Sequence, residues 1–448
     1  MEKRTPHIVV LGAGFGGLTF CQNFNYPAAR VTLIDRQNHH LFQPLLYQVA
    51  TAGLSAPDIA QPIRSILSDK PNVTVLLDNV VGIRLADKAV VLENRSFLNG
   101  TAHANEPVLT ADRQVRPAEV AQSTALAYDY LILALGAVTS YFGHPEWEQF
   151  APGLKSLGDA LRIRRQILLA FEKAENVSDP AERERLMTIV VIGGGPTGVE
   201  LAGAFAELAR TVLAGDFRRI DPRHARVILI EASRRVLDHL PMELAVSAER
   251  QLRDLGVEVK TDSLVKSIRR GCVELERETI LAGNIIWAAG VAASPLTQKL
   301  GVELDRAGRI KVNADLSVPG YPEVFAIGDM ALVIGKDGKR VPGVSPAAMQ
   351  MAKHTADIIA HELAETRPGK PDRLAFAYWD KGTMATIGRS AAVAQIGNLQ
   401  LSGYPAWVAW LVIHLLFLIG FRNKLSVLLH WAYSYFTYKR GSRIITGL

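Results

Sequence analysis

Two short apolar runs, each opening into a cluster of glycines, constrain this chain more than anything else in it. Residues 7–12 read HIVVLG and continue as AGFGG; residues 188–193 read TIVVIG and continue as GGPTG. A β-branched apolar run that stops at a glycine is the pattern of a buried parallel strand turning into a helix. Each is followed by a helical segment and then by an apolar strand ending in an acid, VTLID over 31–35 and VILIE over 227–231. Three further apolar runs end in glycine, at Gly136, Gly290 and Gly328. This alternation predicts an α/β chain with two Rossmann-like dinucleotide-binding domains, one inserted in the other. The expected boundaries are 1–150 with 300–380 for the first, 151–299 for the second, and 381–448 for a C-terminal region.

The first glycine cluster has the spacing that a pyrophosphate needs. Gly12 permits a tight strand-to-helix turn, Gly14 lets the backbone approach the phosphates, and Gly17 allows close helix–strand packing. Asp35 closes the next strand, where a carboxylate accepts hydrogen bonds from ribose hydroxyls. The second cluster repeats the pattern with Gly193, Gly195 and Gly198, and its acid is Glu231. The longer interval before Glu231 reads as an insertion over 213–226 (LAGDFRRIDPRHAR). A carboxylate there favours a 2′-hydroxyl and repels a 2′-phosphate, so NADH is expected over NADPH despite the neighbouring Arg234 and Arg235. Two such folds in one chain point to a flavin and a nicotinamide, that is, FAD and NADH. Asp329, directly after VFAIG, is placed to hold the ribityl or phosphate region of the flavin.

The formal charge is +6, which invites a nucleic-acid reading. The charge is local, however. After Asp380 there is no acid, and Lys381, Arg389, Arg422, Lys424, Lys439, Arg440 and Arg443 give that segment +7, leaving −1 for the rest. No nucleic-acid motif accompanies it, so no nucleic-acid partner is expected. The two cysteines, Cys21 and Cys272, stand alone, and no metal site is expected. The start, MEKRTPHIVVLGAG, lacks the regions of a secretory signal. Residues 94–127 lack a sustained period and read as a surface insertion without assigned chemistry.

Residues 404–421 are 18 uncharged positions, about 27 Å as a helix. Crossing a membrane there would carry five basic residues outward, against the positive-inside rule. An interfacial arrangement is expected instead. Trp407, Trp410, Trp431, Tyr433, Tyr435 and Tyr438 would lie at headgroup level, with basic residues toward anionic lipid. The chain is therefore expected on the cytoplasmic face of the inner membrane, peripheral or monotopic through its C-terminal region.

The motifs together resemble the two-dinucleotide-binding flavoproteins. The whole chain over roughly 6–443 resembles the type II NADH dehydrogenases, single-subunit NADH:quinone oxidoreductases that pump no protons. The resemblance rests on GAGFGG, HHLFQPLLYQVATAGLSAPDIA (39–60), GGGPTGVE, VFAIGD and LIGFRNKLSVLLHWAYSYFTYKRGSR (418–443). It implies non-covalent FAD, NADH as substrate, ubiquinone or menaquinone as acceptor in a respiratory chain, and a homodimer. It implies that Gln43, Pro44, Leu45 and Tyr47 border the isoalloxazine, and that Gly136 and Gly290 end strands near the cofactors. It further places Glu172 near the flavin and the quinone approach, and Lys381 along the quinone channel. In the Ala-Gln-x-Ala-x-Gln signature of many members this chain has Ser345-Pro346-Ala347-Ala348-Met349-Gln350. Pro346 replaces the first glutamine, and Gln350 is left as the residue that would meet a quinone carbonyl. A membrane-associated NAD(P)H-dependent flavoprotein reductase with another acceptor is the alternative. Sulfide:quinone and dithiol reductases are disfavoured by the lack of a cysteine pair.

Overall fold

The computed structural model describes residues 4–93, 124–364, 373–437 and 441–445. The chain divides into two compact units. One comprises Met1–His40, Pro62–Ala137 and Ala292–Trp379; the other comprises Leu41–Gln61, Val138–Val291 and Asp380–Leu448.

The first unit is built on a six-stranded sheet, in the order Ser317–Val318, Tyr321–Ala326, Tyr130–Leu133, His7–Leu11, Arg30–Asp35, Val73–Leu77. All neighbours pair in parallel except the first two strands. The central strand HIVVL is buried at every position, as expected where helices cover both faces of a parallel sheet. Gly12, Gly136 and Gly328, all at positive φ, follow the carboxyl ends of three adjacent strands. That edge is where open α/β sheets bind ligands. Helices Phe15–Asn23 and Ser345–Ala364 pack on each other. A separate antiparallel sheet joins Val80–Arg84, Ala89–Leu92 and Thr124–Ala127. The surface insertion expected over 94–127 is therefore too long. Its last four residues pair with Ala89–Leu92, and the remainder lies outside the described residues.

The second unit has a four-stranded parallel sheet, ordered Val257–Lys260, Arg226–Ile230, Thr188–Ile192, Asn284–Trp287. Tyr141, Trp147 and Trp287 are stacked into its core. Helix Leu157–Asn176 begins with a reciprocal cap, in which Ser156 accepts from Asp159 N–H and Asp159 accepts from Ser156 N–H.

The tail belongs to this unit. An antiparallel meander of Thr383–Gly388, Ala391–Ile396 and Leu399–Ser402 precedes helices Tyr404–Phe417 and Phe421–Thr437. The meander is core: Ala385, Ile387, Ala392, Val393 and Ala394 have no exposure. The uncharged run expected as one segment is split between Phe417 and Phe421, with Gly420 at φ +84°. Among the described residues no helix is long and apolar enough to cross a membrane.

Both helices turn one face inward, through Ala406 and Trp410 on the first and Asn423 and Val427 on the second. The other faces leave Tyr404, Val408, Val412 and Leu416 exposed at four-residue spacing, with Phe421, Leu425, Leu429, Tyr433 and Phe436 exposed on the second helix. Four-residue spacing keeps side chains on one side of a helix. Part of the tail's charge is spent within the unit. Arg443 pairs with Asp216, Arg389 lies over the Tyr435 ring, and Lys424 Nζ donates to the Leu416 carbonyl at 2.8 Å. Tyr438, Lys439 and Arg440 lie outside the described residues.

Candidate functional site

The two glycine loops are built alike. In the first unit Gly12 has φ +96° and an added Cβ would fall on the Ala134 carbonyl; in the second Gly193 has φ +114° and its Cβ would stand 2.7 Å from the Ala288 carbonyl carbon. Five residues on, a Cβ at Gly17 or Gly198 would occupy the carbonyl oxygen of Gly12 or Gly193. Between them Gly14 and Gly195 face open space, with nothing within 4 Å of an added Cβ. Each is the N-cap of its helix, and neither helix start is capped by a side chain. The result is a bare loop surface at the positive end of a helix dipole, which suits a pyrophosphate.

The acids act on the loops in the same way. Ala13 N–H donates to Asp35 Oδ2 at 2.6 Å, and Gln37 N–H donates to Oδ1 at 2.7 Å. Gly194 N–H donates to Glu231 Oε2 at 2.5 Å, and Ser233 N–H donates to Oε1 at 2.7 Å. Burial pushes the Asp35 carboxyl upward, against the two amides that favour its charge. The longer interval before Glu231 is taken up by the turns Leu208–Val212 and Pro222–His224. Of the two nearby arginines, Arg235 is held by Asp238 at 2.6 Å, while Arg234 is exposed.

The first unit holds Gly12, Gly14, Gly17, Asp35, Gly136, Asp329 and Gln350. Gly136 is required by its backbone at φ +68°, since a Cβ there would meet nothing. Asp329 lies in the turn Gly328–Met330, with its Oδ1 3.2 Å from where a Cβ on Gly343 would be. Gly328 is braced by the Ser345–Ala364 helix: its N–H donates to Met351 Sδ at 3.2 Å. Gln350, on the same helix, spends both ends of its amide on one peptide unit. Its Nε2 donates to Trp379 O at 2.9 Å, and its Oε1 accepts from Trp379 N–H at 3.0 Å.

The second unit holds Gly193, Gly195, Gly198, Glu231, Gly290, Gln43, Pro44, Leu45, Glu172 and Lys381. Gln43–Leu45 form a single tight turn. Gln43 is exposed, whereas Leu45 is fully buried and supports the turn from beneath. At Gly290 a Cβ would run into the Phe142 ring. Lys381 is exposed with Nζ 5.2 Å above the Phe417 ring. Glu172 is exposed on helix Leu157–Asn176. It lines two surface grooves of about 400 and 540 Å³ that no glycine-loop residue lines.

The carboxylate that does lie beside a loop is Glu200, two residues after Gly198 on helix Pro196–Glu207. Burial pushes its carboxyl up to about 8, against the pull of the Thr386 backbone amide. It went unassigned in the sequence. The signal was there in its position as the sole acid between Pro196 and Glu207, in a helix otherwise apolar and glycine-rich. Its burial depends on a meander and a helix that arrive almost two hundred residues later. Trp410 stacks on His414 at 4.1 Å between centroids, and burial pushes the His414 imidazole down to about 4. Helix Pro196–Glu207 meets the meander with no side chain between them, because a Cβ at Gly203 would land on the Ile387 carbonyl oxygen.

Among the described residues no group of three or more His, Cys, Asp or Glu could hold a metal ion. Cys21 and Cys272 are free thiols, and burial pushes the Cys21 thiol up to about 12, far from thiolate chemistry.

Comparison with known proteins agrees with this geometry. The sequence matches the pyridine nucleotide-disulphide oxidoreductase family over residues 6–352 and the NDH2 C-terminal domain over 380–439. Among similar proteins is the type II NADH:quinone oxidoreductase Ndh of Mycobacterium tuberculosis (strain ATCC 25618 / H37Rv). It is 44% identical, across 99% of this chain and 91% of the relative. The NdhA protein of the same organism is 42% identical, across 98% and 89%. A solved structure of NDH2 from Plasmodium falciparum in complex with NADH superposes with a TM-score of 0.86, covering 99% of this chain and 100% of that one. At 21% identity that likeness speaks for the fold.

Proposed function

The chain belongs to the type II NADH:quinone oxidoreductases, and we propose that its two units divide that reaction, the first holding FAD and the second NADH. The enzyme is an FAD-dependent oxidoreductase that passes two electrons from NADH to a quinone. The observation that carries the division of labour is the matched pair of carboxylate-locked glycine loops, Asp35 with Ala13 and Glu231 with Gly194. Bound FAD supplies the two-electron chemistry between the dihydronicotinamide and the quinone ring.

The chain's own residues bind, orient and handle protons. Gly12, Gly14 and Gly17 cradle one pyrophosphate while Asp35 fixes that loop; Gly136 and Asp329 lie at neighbouring strand ends on the same edge. Gly193, Gly195 and Gly198 cradle the other, and Glu231 fixes the loop and disfavours a 2′-phosphate. Gln43, Pro44 and Gly290 shape the approach to the reacting rings, and Leu45 holds the Gln43 turn from below. Glu200, protonated at neutral pH by its burial, is the proton-holding group beside the nicotinamide loop. Glu172 keeps its expected role near the flavin and the quinone approach. Lys381 and Gln350 belong to the quinone side.

Membrane association is supported by the outward apolar faces of the two C-terminal helices and by the basic, acid-free segment that carries them. We assign these faces to an anionic lipid surface on the cytoplasmic side, with ubiquinone or menaquinone drawn from it, and the active species to a homodimer. Sedimentation of the detergent-solubilised enzyme reads the last point. The reaction is tested by titrating the FAD-loaded protein with NADH under anaerobic conditions and then adding a short-chain quinone. The flavin absorbance should bleach and return. Flavin that NADH leaves oxidised would overturn the assignment.

A further inference from the structure

The segment Arg373–Trp379 is tied to helix Ser345–Ala364 at three heights. At one end Arg373 pairs with Glu362 and, at 3.0 Å, with Asp315, its guanidinium lying 4.9 Å from the Phe325 ring centroid. In the middle His354 Nε2 donates to the Leu374 carbonyl at 3.0 Å, and Phe376 N–H donates to the Ala314 carbonyl at 2.7 Å. At the far end stands the Gln350 amide, bonded to both the N–H and the C=O of Trp379. That two-point bond is the one a neighbouring β-strand residue would make, here supplied by a side chain.

What the clamp holds in place is unusual. Trp379 is 71% exposed, although a large aromatic side chain is ordinarily mostly buried. Gln350 is also close in the chain to Ala348 and Met351, which brace Gly328 beside Asp329. The clamp therefore sits at the end of the helix that supports the flavin-side strand turn. An exposed indole on a backbone pinned at both polar groups is preorganised to receive a flat ring, because little freedom is left to lose on binding.

We propose that Gln350 acts on the quinone through Trp379: it is a positioning residue, and the Trp379 indole is the surface against which the quinone ring stacks. This rests on the quinone reductase reading above and deepens it. It also explains why Gln350 serves without the first glutamine of the signature. Its amide is committed to a peptide unit, so no partner glutamine is required to share a quinone carbonyl.

The test is a double-mutant cycle on the FAD-loaded enzyme, with a short-chain quinone as the probe. Trp379→Ala should raise the quinone KM about fivefold to tenfold while leaving the NADH KM alone, and Trp379→Phe should retain most of the wild-type value. Gln350→Ala should raise the quinone KM in the wild-type background and add less than about twofold on top of Trp379→Ala, since both act on one contact. Quenching of tryptophan fluorescence by quinone, measured without NADH, should fall in Trp379→Phe, a readout independent of turnover and of the alanine variant's folding. An undiminished Gln350→Ala effect in the Trp379→Ala background would mean direct contact by Gln350 and overturn the proposal. So would Trp379 variants that lose binding to anionic vesicles with the quinone KM intact, since the indole would then be a lipid anchor. Anaerobic bleaching by NADH, read first on the wild-type enzyme, separates failure of the underlying reaction from failure of this inference.

Discussion

Glu231 reaches back over 37 residues of chain to accept the Gly194 N–H at 2.5 Å. The carboxylate is thus part of the loop as well as the acid proposed to meet the ribose. Glu231→Ala removes two charge-assisted hydrogen bonds, each worth about 1.5–3 kcal/mol when made to a charged group. The NADH KM should rise at least tenfold with flavin content unchanged. Asp35→Ala makes the same cut in the first unit and should instead yield protein purified without flavin. Absorbance at the flavin maximum, set against steady-state NADH kinetics, distinguishes the two.

Glu200 gives the reaction a pH signature. Its carboxyl is raised to about 8 by burial, so it carries a proton at neutral pH and loses it as pH rises through that value. Quinone reduction should fall over the same window. Glu200→Gln should be slower and flat there. The linkage has a definite sign. A folded-state value above the unfolded one stabilises fully below the unfolded value, and that contribution is lost as pH rises through about 8. Thermal melting between pH 5 and 8 should therefore decline less in Glu200→Gln than in the wild type.

Two glycines of one helix should answer differently to the same change. Gly203→Ala drives a methyl group into the Ile387 carbonyl, where only backbone could yield. Overpacking of this kind costs about 1–3 kcal/mol, visible as a lowered melting temperature. Gly195→Ala meets open space and should leave stability near wild type. Its added methyl lies on the bare face of the loop, so the NADH KM should rise.

The outward faces of the C-terminal helices predict where lipid affinity resides. Phe421 and Phe436 are 82% and 79% exposed, and burying such a side chain is worth about 1.5–3 kcal/mol. Phe421→Ser with Phe436→Ser should reduce partition onto anionic vesicles by at least tenfold. Activity with a water-soluble quinone should persist, while activity with a long-chain quinone should drop. Sedimentation with liposomes measures the first effect directly.

The glycine loops and their acids were legible because their requirement is local: a positive φ, a missing Cβ and a carboxylate at a strand end leave a spacing that survives in sequence. Glu231 was legible despite its long interval, because the intervening insertion changes only the path of the chain. Glu200 was not, because its burial depends on elements brought by tertiary packing; Gln350 was marked by its motif, but its bond to the Trp379 peptide unit could not be read from it. Glu172 shows the converse. An acid on an amphipathic helix looks the same in sequence whether it faces a site or solvent, and the exposed Glu172 lines surface grooves that no glycine-loop residue lines. The uncharged run at 404–421 was visible, but its break before Phe421 comes from a glycine turn that hydrophobicity does not register. Thr124–Ala127 had no pattern of its own and is a strand because Ala89–Leu92 offers it an edge.

The contact between Gly203 and Ile387 also decides where this protein can be cut. Deleting everything from residue 381 would strip the nucleotide-loop helix of the meander it rests on, and the loss of activity would report unfolding. A deletion beginning after Ser402 spares that meander and removes the two helices with outward apolar faces, together with the Arg443 that pairs with Asp216, though it uncovers the site of Trp410. The modular boundary of the chain thus falls inside the region that composition marks as a single tail.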